Sequence, residues 1–167
     1  MVSIEIQTLL FQHKYIRSRF LQLLKEIEES GKESDALHFR LKTGSSERAH
    51  IGWQMLHCAA TYDKYLNVRL LEKEVIDKDL VENYASGSTP SANLKVNSEV
   101  IKTKLLETTS PYYNYFSNLK IENLDEFPHP RIDRTYRDVL MILNWHEAEH
   151  MGQCQITWNS FKALHSI

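Results

Sequence analysis

With 167 residues, 42% of them hydrophobic and 25% charged, the chain is long enough to bury a core without staples. A net charge of −2 leaves no basic footprint for nucleic acid and no field to steer an acidic substrate. Five Gly and 4 Pro are too few for the turns of a sandwich or barrel. The first predicted helix places Ile6, Leu9, His13, Ile16, Phe20 and Leu24 at three- and four-residue spacing and stops near Ser30-Gly31. A second opens after Gly44-Ser45-Ser46, with Ser46 as a reasonable N-cap. Its stripe of Ile51, Met55, Cys58, Tyr62, Tyr65 and Leu66 fades at Arg69. Residues 75–94 include Gly87-Ser88-Thr89-Pro90-Ser91 and read as a long connection.

The third helix is expected over residues 97–119, with Pro111 kinking it or ending it near Ser110. Pro128-His129-Pro130 forces an extended stretch before the last helix, expected over residues 133–161. Long helices without alternating strand patterns predict an all-α protein, an antiparallel four-helix bundle in one domain over residues 1–167. No apolar run approaches the roughly 18–20 residues of a membrane span. The N-terminal MVSIEIQTLLFQHKY lacks the regions of a signal peptide, and Cys58 and Cys154 form no disulfide framework or CxxC pair. A cytoplasmic protein with two free, reduced cysteines is the expectation, with neither membrane nor nucleic acid as a partner.

The chemistry lies in the histidines. On the last helix Val139, Leu143, His146, His150, Gln153, Thr157, Phe161 and Leu164 share one face, with His146 and His150 one turn apart at its centre. Two imidazoles in a core stripe are costly unless each nitrogen finds a partner, and a helix, its backbone groups already bonded, offers few. A divalent cation held by both rings resolves this, and i,i+4 spacing suits chelation. The bland alternative is a pair of core histidines bonded to neighbouring helices. Residues 146–150 also spell HExxH, the zincin pattern with Glu147 as base. Only 17 residues follow His150, however, and Gln153 and Ile156 stand where a metzincin needs Gly and His. A third ligand must come from another helix, where His13, His50 and His57 are all available. Spacing does not choose among them.

Two segments resemble the DinB/YfiT-like superfamily of metal-binding four-helix bundles. Trp53-Gln54-Met55-Leu56-His57-Cys58-Ala59 is similar to its second-helix W-x-x-x-H-x-A pattern, and residues 144–153 are similar to its fourth-helix HxxxH-x-GQ segment. The resemblance implies a site of His57, His146 and His150, leaving His50 out, with zinc or nickel and a water completing the shell. It also implies, in many relatives, a homodimer. Some relatives transfer low-molecular-weight thiols such as bacillithiol, and others isomerise maleylpyruvate with mycothiol. The function so implied is transfer of a thiol to an electrophilic small-molecule substrate. Metal-dependent hydrolysis and a non-catalytic, metal-stabilised binding module are the alternatives. No catalytic side chain is identified; Gln153 is a candidate orienter, and His50 stands where relatives often have Ser.

Overall fold

The computed structural model describes residues 4–88, 96–130 and 132–167. It is mostly helical: α1 (Ile4–Glu29), α2 (Glu33–His38), α3 (Ile51–Asp63), α4 (Lys78–Tyr84), α5 (Ser98–Ser117) and α6 (Tyr136–His165). A hairpin of two residues per strand, β1 (Lys42–Thr43) and β2 (Ser46–Glu47), pairs Lys42 with Glu47 around Gly44, whose φ of 63° suits glycine. Ser46 therefore belongs to this hairpin. The N-cap of α3 is His50, whose Nδ1 accepts from the Trp53 N–H at 3.0 Å. No helix among the described residues is long and apolar enough to cross a membrane.

Contacts along the long helices fix their directions. Leu9 meets Asn144, Arg17 meets Glu147 and Glu26 meets Trp158, so α1 and α6 run the same way. Leu10 meets Tyr113 and Glu28 meets Lys102, so α1 and α5 are antiparallel. Gln54 meets His150 and Ile51 meets Cys154, which makes α3 and α6 antiparallel. Val96 lies against Gly52 and Tyr112 against Tyr62, so α3 and α5 run together. The antiparallel expectation is thus adjusted to two antiparallel and two parallel neighbour pairs. The cause is the long path between the second and third long helices, which returns the chain to the end where α3 began.

Beyond Asp63 the helix widens to a π-helical stretch, Lys64–Leu70. The buried Asp63 carboxylate accepts from Asn67 Nδ2 at 2.7 Å and from the N–H groups of Ile76 and Asp77 at 3.0 Å each. That anchor turns the chain into α4, capped by Asp77. The expected connection over residues 75–94 therefore carries a helix, while Thr89-Pro90-Ser91 lie outside the described residues. Helix α5 passes Pro111 without ending. A Pro in a helix costs about 3 kcal/mol. Fully burying Leu105, Tyr112 and Phe116 on one face contributes roughly 1.5–3 kcal/mol per side chain and outweighs it. Helix α6 begins later than expected, behind the Thr135–Asp138 capping box.

Candidate metal centre

Three histidines converge where α3 crosses α6. His57, His146 and His150 each offer a nitrogen, all within 4.8 Å of one another. His57 is buried and comes from α3, while His146 and His150 are half-buried, one turn apart on α6. The Nε2 atoms of His57 and His146 stand 3.1 Å apart. Trp53 stacks on the His57 ring, nearly parallel at 8° with centroids 4.7 Å apart, and holds its plane.

The far nitrogens set the tautomers. His57 Nδ1 donates to the Tyr84 carbonyl at 2.6 Å, at the end of α4, which leaves the lone pair on Nε2. His150 Nδ1 faces Gln54 Oε1 at 3.3 Å. The buried Nδ1 of His146 has no hydrogen-bond partner among the described residues. Burial lowers all three affinities for protons. His146 falls to about 4, with the neighbouring His57 adding to the effect, and His150 falls to about 3, with His146 and His57 adding. His57 is lowered by burial against the opposing bond to Tyr84. All three rings are neutral at neutral pH, the state in which imidazole can ligate.

The donor set fits a divalent cation. Two nitrogens bound tetrahedrally at about 2.0–2.1 Å stand about 3.3 Å apart, close to the 3.1 Å between the two Nε2 atoms. Without a cation, the Nε2 lone pair of His57 has only another imidazole to face. The cluster therefore could hold a metal ion through neutral nitrogen donors.

His13, His50 and Glu147 lie elsewhere. Glu147 is 0% exposed and sits at the middle of the core face of α6, between the two apolar clusters of the interior. Its carboxylate meets Arg17 Nε at 2.6 Å, Arg17 Nη2 at 3.1 Å and His13 Nε2 at 2.9 Å. His13 Nδ1 lies 3.1 Å from the Tyr113 hydroxyl. Burial alone would raise the Glu147 carboxyl, but Arg17 and the bond from His13 hold it below the usual range. His13 is lowered by burial and stays neutral. A carboxylate buried in the core and paired with Arg17 and His13 is not available as a base to a water at the histidines, which removes the basis of the HExxH reading. His50 is spent on the α3 cap, seven residues before His57.

The core face of α6 is thus rotated from the predicted stripe. Leu143, Glu147, Met151, Cys154, Trp158 and Phe161 are buried, His146 and His150 flank them, and Leu164 is exposed. Gln153 bonds back to Glu149 at 3.4 Å, and the side-chain oxygen that faces His150 Nδ1 is that of Gln54. Arg17, Gln54 and the Tyr84 carbonyl were not singled out by sequence, although an Arg on the stripe of α1 was a visible signal. Cys58 and Cys154 are free and buried, and burial pushes both thiols up.

A comparison with curated proteins finds no match. The profile of the DinB superfamily matches residues 12–154, a span that contains all three clustered histidines. With most of its length matched and this helical frame, the chain belongs to the DinB superfamily.

Proposed function

We propose that the four long helices form a DinB-type four-helix bundle whose metal centre is His57, His146 and His150, binding zinc or nickel. The observation that carries this reading is the convergence of three neutral imidazoles, two with the far nitrogen turned toward an oxygen acceptor. Second-sphere acceptors of this kind orient ligating histidines and raise their basicity. A bound divalent cation with an open coordination position would favour the thiolate form of a small-molecule thiol.

Within that reading the chain's own groups have separable duties. Trp53 and the Tyr84 carbonyl fix His57, and Gln54 faces His150. His146 and His150 are half-buried, so the cluster is not sealed from solvent. We assign the protein to metal-dependent transfer of a low-molecular-weight thiol to an electrophile, with a homodimer as its assembly. Superfamily membership and the nitrogen-only donor set support this choice.

The test is thiol consumption with a chlorodinitrobenzene acceptor across a panel of small thiols, using protein loaded with zinc or nickel. Metal-dependent loss of thiol with formation of the aryl thioether is expected, and it should vanish on chelation and return on reloading. Turnover that ignores chelation would contradict the assignment. Ester hydrolysis without any thiol requirement would favour the hydrolase reading instead. Light scattering in solution tests the assembly: a mass near twice 19.6 kDa is expected, and a monomer at micromolar concentration would overturn it.

A further inference from the structure

An imidazole can ligate through either nitrogen, so a three-histidine site works only if each ring presents the correct one. For His57 the choice is made by backbone, because the Tyr84 carbonyl takes the Nδ1 proton. His146 has no such partner among the described residues. For His150 the choice falls to one side chain. Gln54 lies on α3, three residues before His57, and is 1% exposed. Its Nε2 donates to the Ala49 carbonyl at 2.9 Å, which fixes the orientation of the amide. Its Oε1 then points at His150 Nδ1, 3.3 Å away. A carbonyl oxygen only accepts, so the proton of His150 belongs on Nδ1 and the lone pair on Nε2.

We propose that Gln54 is a positioning residue of the metal centre, which fixes the tautomer and ring orientation of His150 and thereby sets the affinity for the ion. The inference rests on the metal reading above and deepens it. It follows from the chain Ala49 carbonyl, Gln54 amide, His150 Nδ1, in which every donor meets an acceptor only for one tautomer. Because Gln54 and His57 share α3, the same helix supplies one ligand and orients another.

Two measurements test it. Long-range 15N correlation spectra of metal-free wild type read the tautomer without any variant. His150 protonated on Nδ1 is expected, and protonation on Nε2 overturns the inference. Zinc affinity is then measured by competition with a chromogenic chelator, alongside the unfolding midpoint. Gln54→Met, of similar volume but with no acceptor oxygen, is expected to bind zinc about ten- to a hundredfold more weakly than wild type. Gln54→Glu keeps an oxygen toward His150 and should lose less affinity than Gln54→Met. If Gln54→Met loses stability while its zinc affinity and the His150 tautomer stay as in wild type, Gln54 is a packing residue and the inference fails. Wild type that takes up no zinc or nickel overturns the metal reading and this inference together. Wild type that binds zinc, with Gln54→Met equal to it, overturns the role of Gln54 alone.

Discussion

His50 and His57 lie seven residues apart at the start and middle of one helix, and the fold gives them different work. His50 Nδ1 must stay unprotonated to accept from Trp53, and burial, with Arg40 and His38 nearby, lowers it to about 4. His50→Ala should cost about 1 kcal/mol through the lost cap, and His50→Ser should recover most of it. Denaturant unfolding measures both, and metal content should match wild type in each. The Glu147–Arg17 pair calls for a different pattern. Arg17→Ala leaves a buried carboxylate uncompensated and should destabilise by about 3–5 kcal/mol, whereas the double change Arg17→Met, Glu147→Leu should fall much nearer to wild type. If the double variant is as unstable as the single one, the burial cost assigned to Glu147 is wrong. This layer was hidden from sequence because apolar periodicity counts a glutamate as surface. Its burial depends on Arg17 and His13, about 130 positions away in the chain. The expected stripe of α6 was consequently centred on the histidines rather than one residue beyond His146.

Among the elements, α4 was the least legible and has a direct bearing on the histidines. Its sequence, KDLVENY, is short and carries one strong signal, the Asp77 cap. What places it is Asp63, whose three hydrogen bonds gather Asn67, Ile76 and Asp77 after the π-helical stretch. Asp63→Ala should cost about 2–4 kcal/mol, since bonds to a charged acceptor contribute more than neutral ones and the amides would be stranded. Hydrogen exchange should quicken first over residues 76–84, because the backbone amides of Ile76 and Asp77 lose their acceptor. Zinc affinity should drop with it, as the Tyr84 carbonyl leaves His57. Uniform exchange with unchanged affinity would contradict this coupling. Pro111 carries the opposite lesson. A local breaker suggested a kink or an early end near Ser110, and α5 runs on past it with Tyr112 and Phe116 buried on the next turn.

At the scale of the whole molecule, the order of the long helices could be read from periodicity, since each repeats its apolar residues over several turns. Their relative directions could not, because these depend on a path through residues whose turns look alike in either topology. Acid stability is a property of the assembled interior. The folded state lowers His13, His50, His57, His146 and His150 from 6.5, and holds Glu147 below 4.5. Each depressed group contributes stability that is present above its unfolded value and lost as pH falls toward its folded value. Metal-free protein should therefore weaken steadily below about pH 6.5, with Glu147 adding to the loss only below about 4.5. His50 alone contributes on the order of 2 kcal/mol of that loss by pH 5, a few degrees in Tm at this chain length. A Tm that is flat between pH 7 and 5 would show that these histidines are not buried in neutral form.

The most direct test of the metal centre is the metal content of purified protein after chelation, reloading with zinc and removal of excess. Wild type should retain one ion per chain, and His57→Ala, His146→Ala and His150→Ala should each lose most of it while His13→Ala and His50→Ala do not. Retention by all three cluster variants, or loss in His50→Ala with retention in His57→Ala, would contradict the centre assigned to His57, His146 and His150.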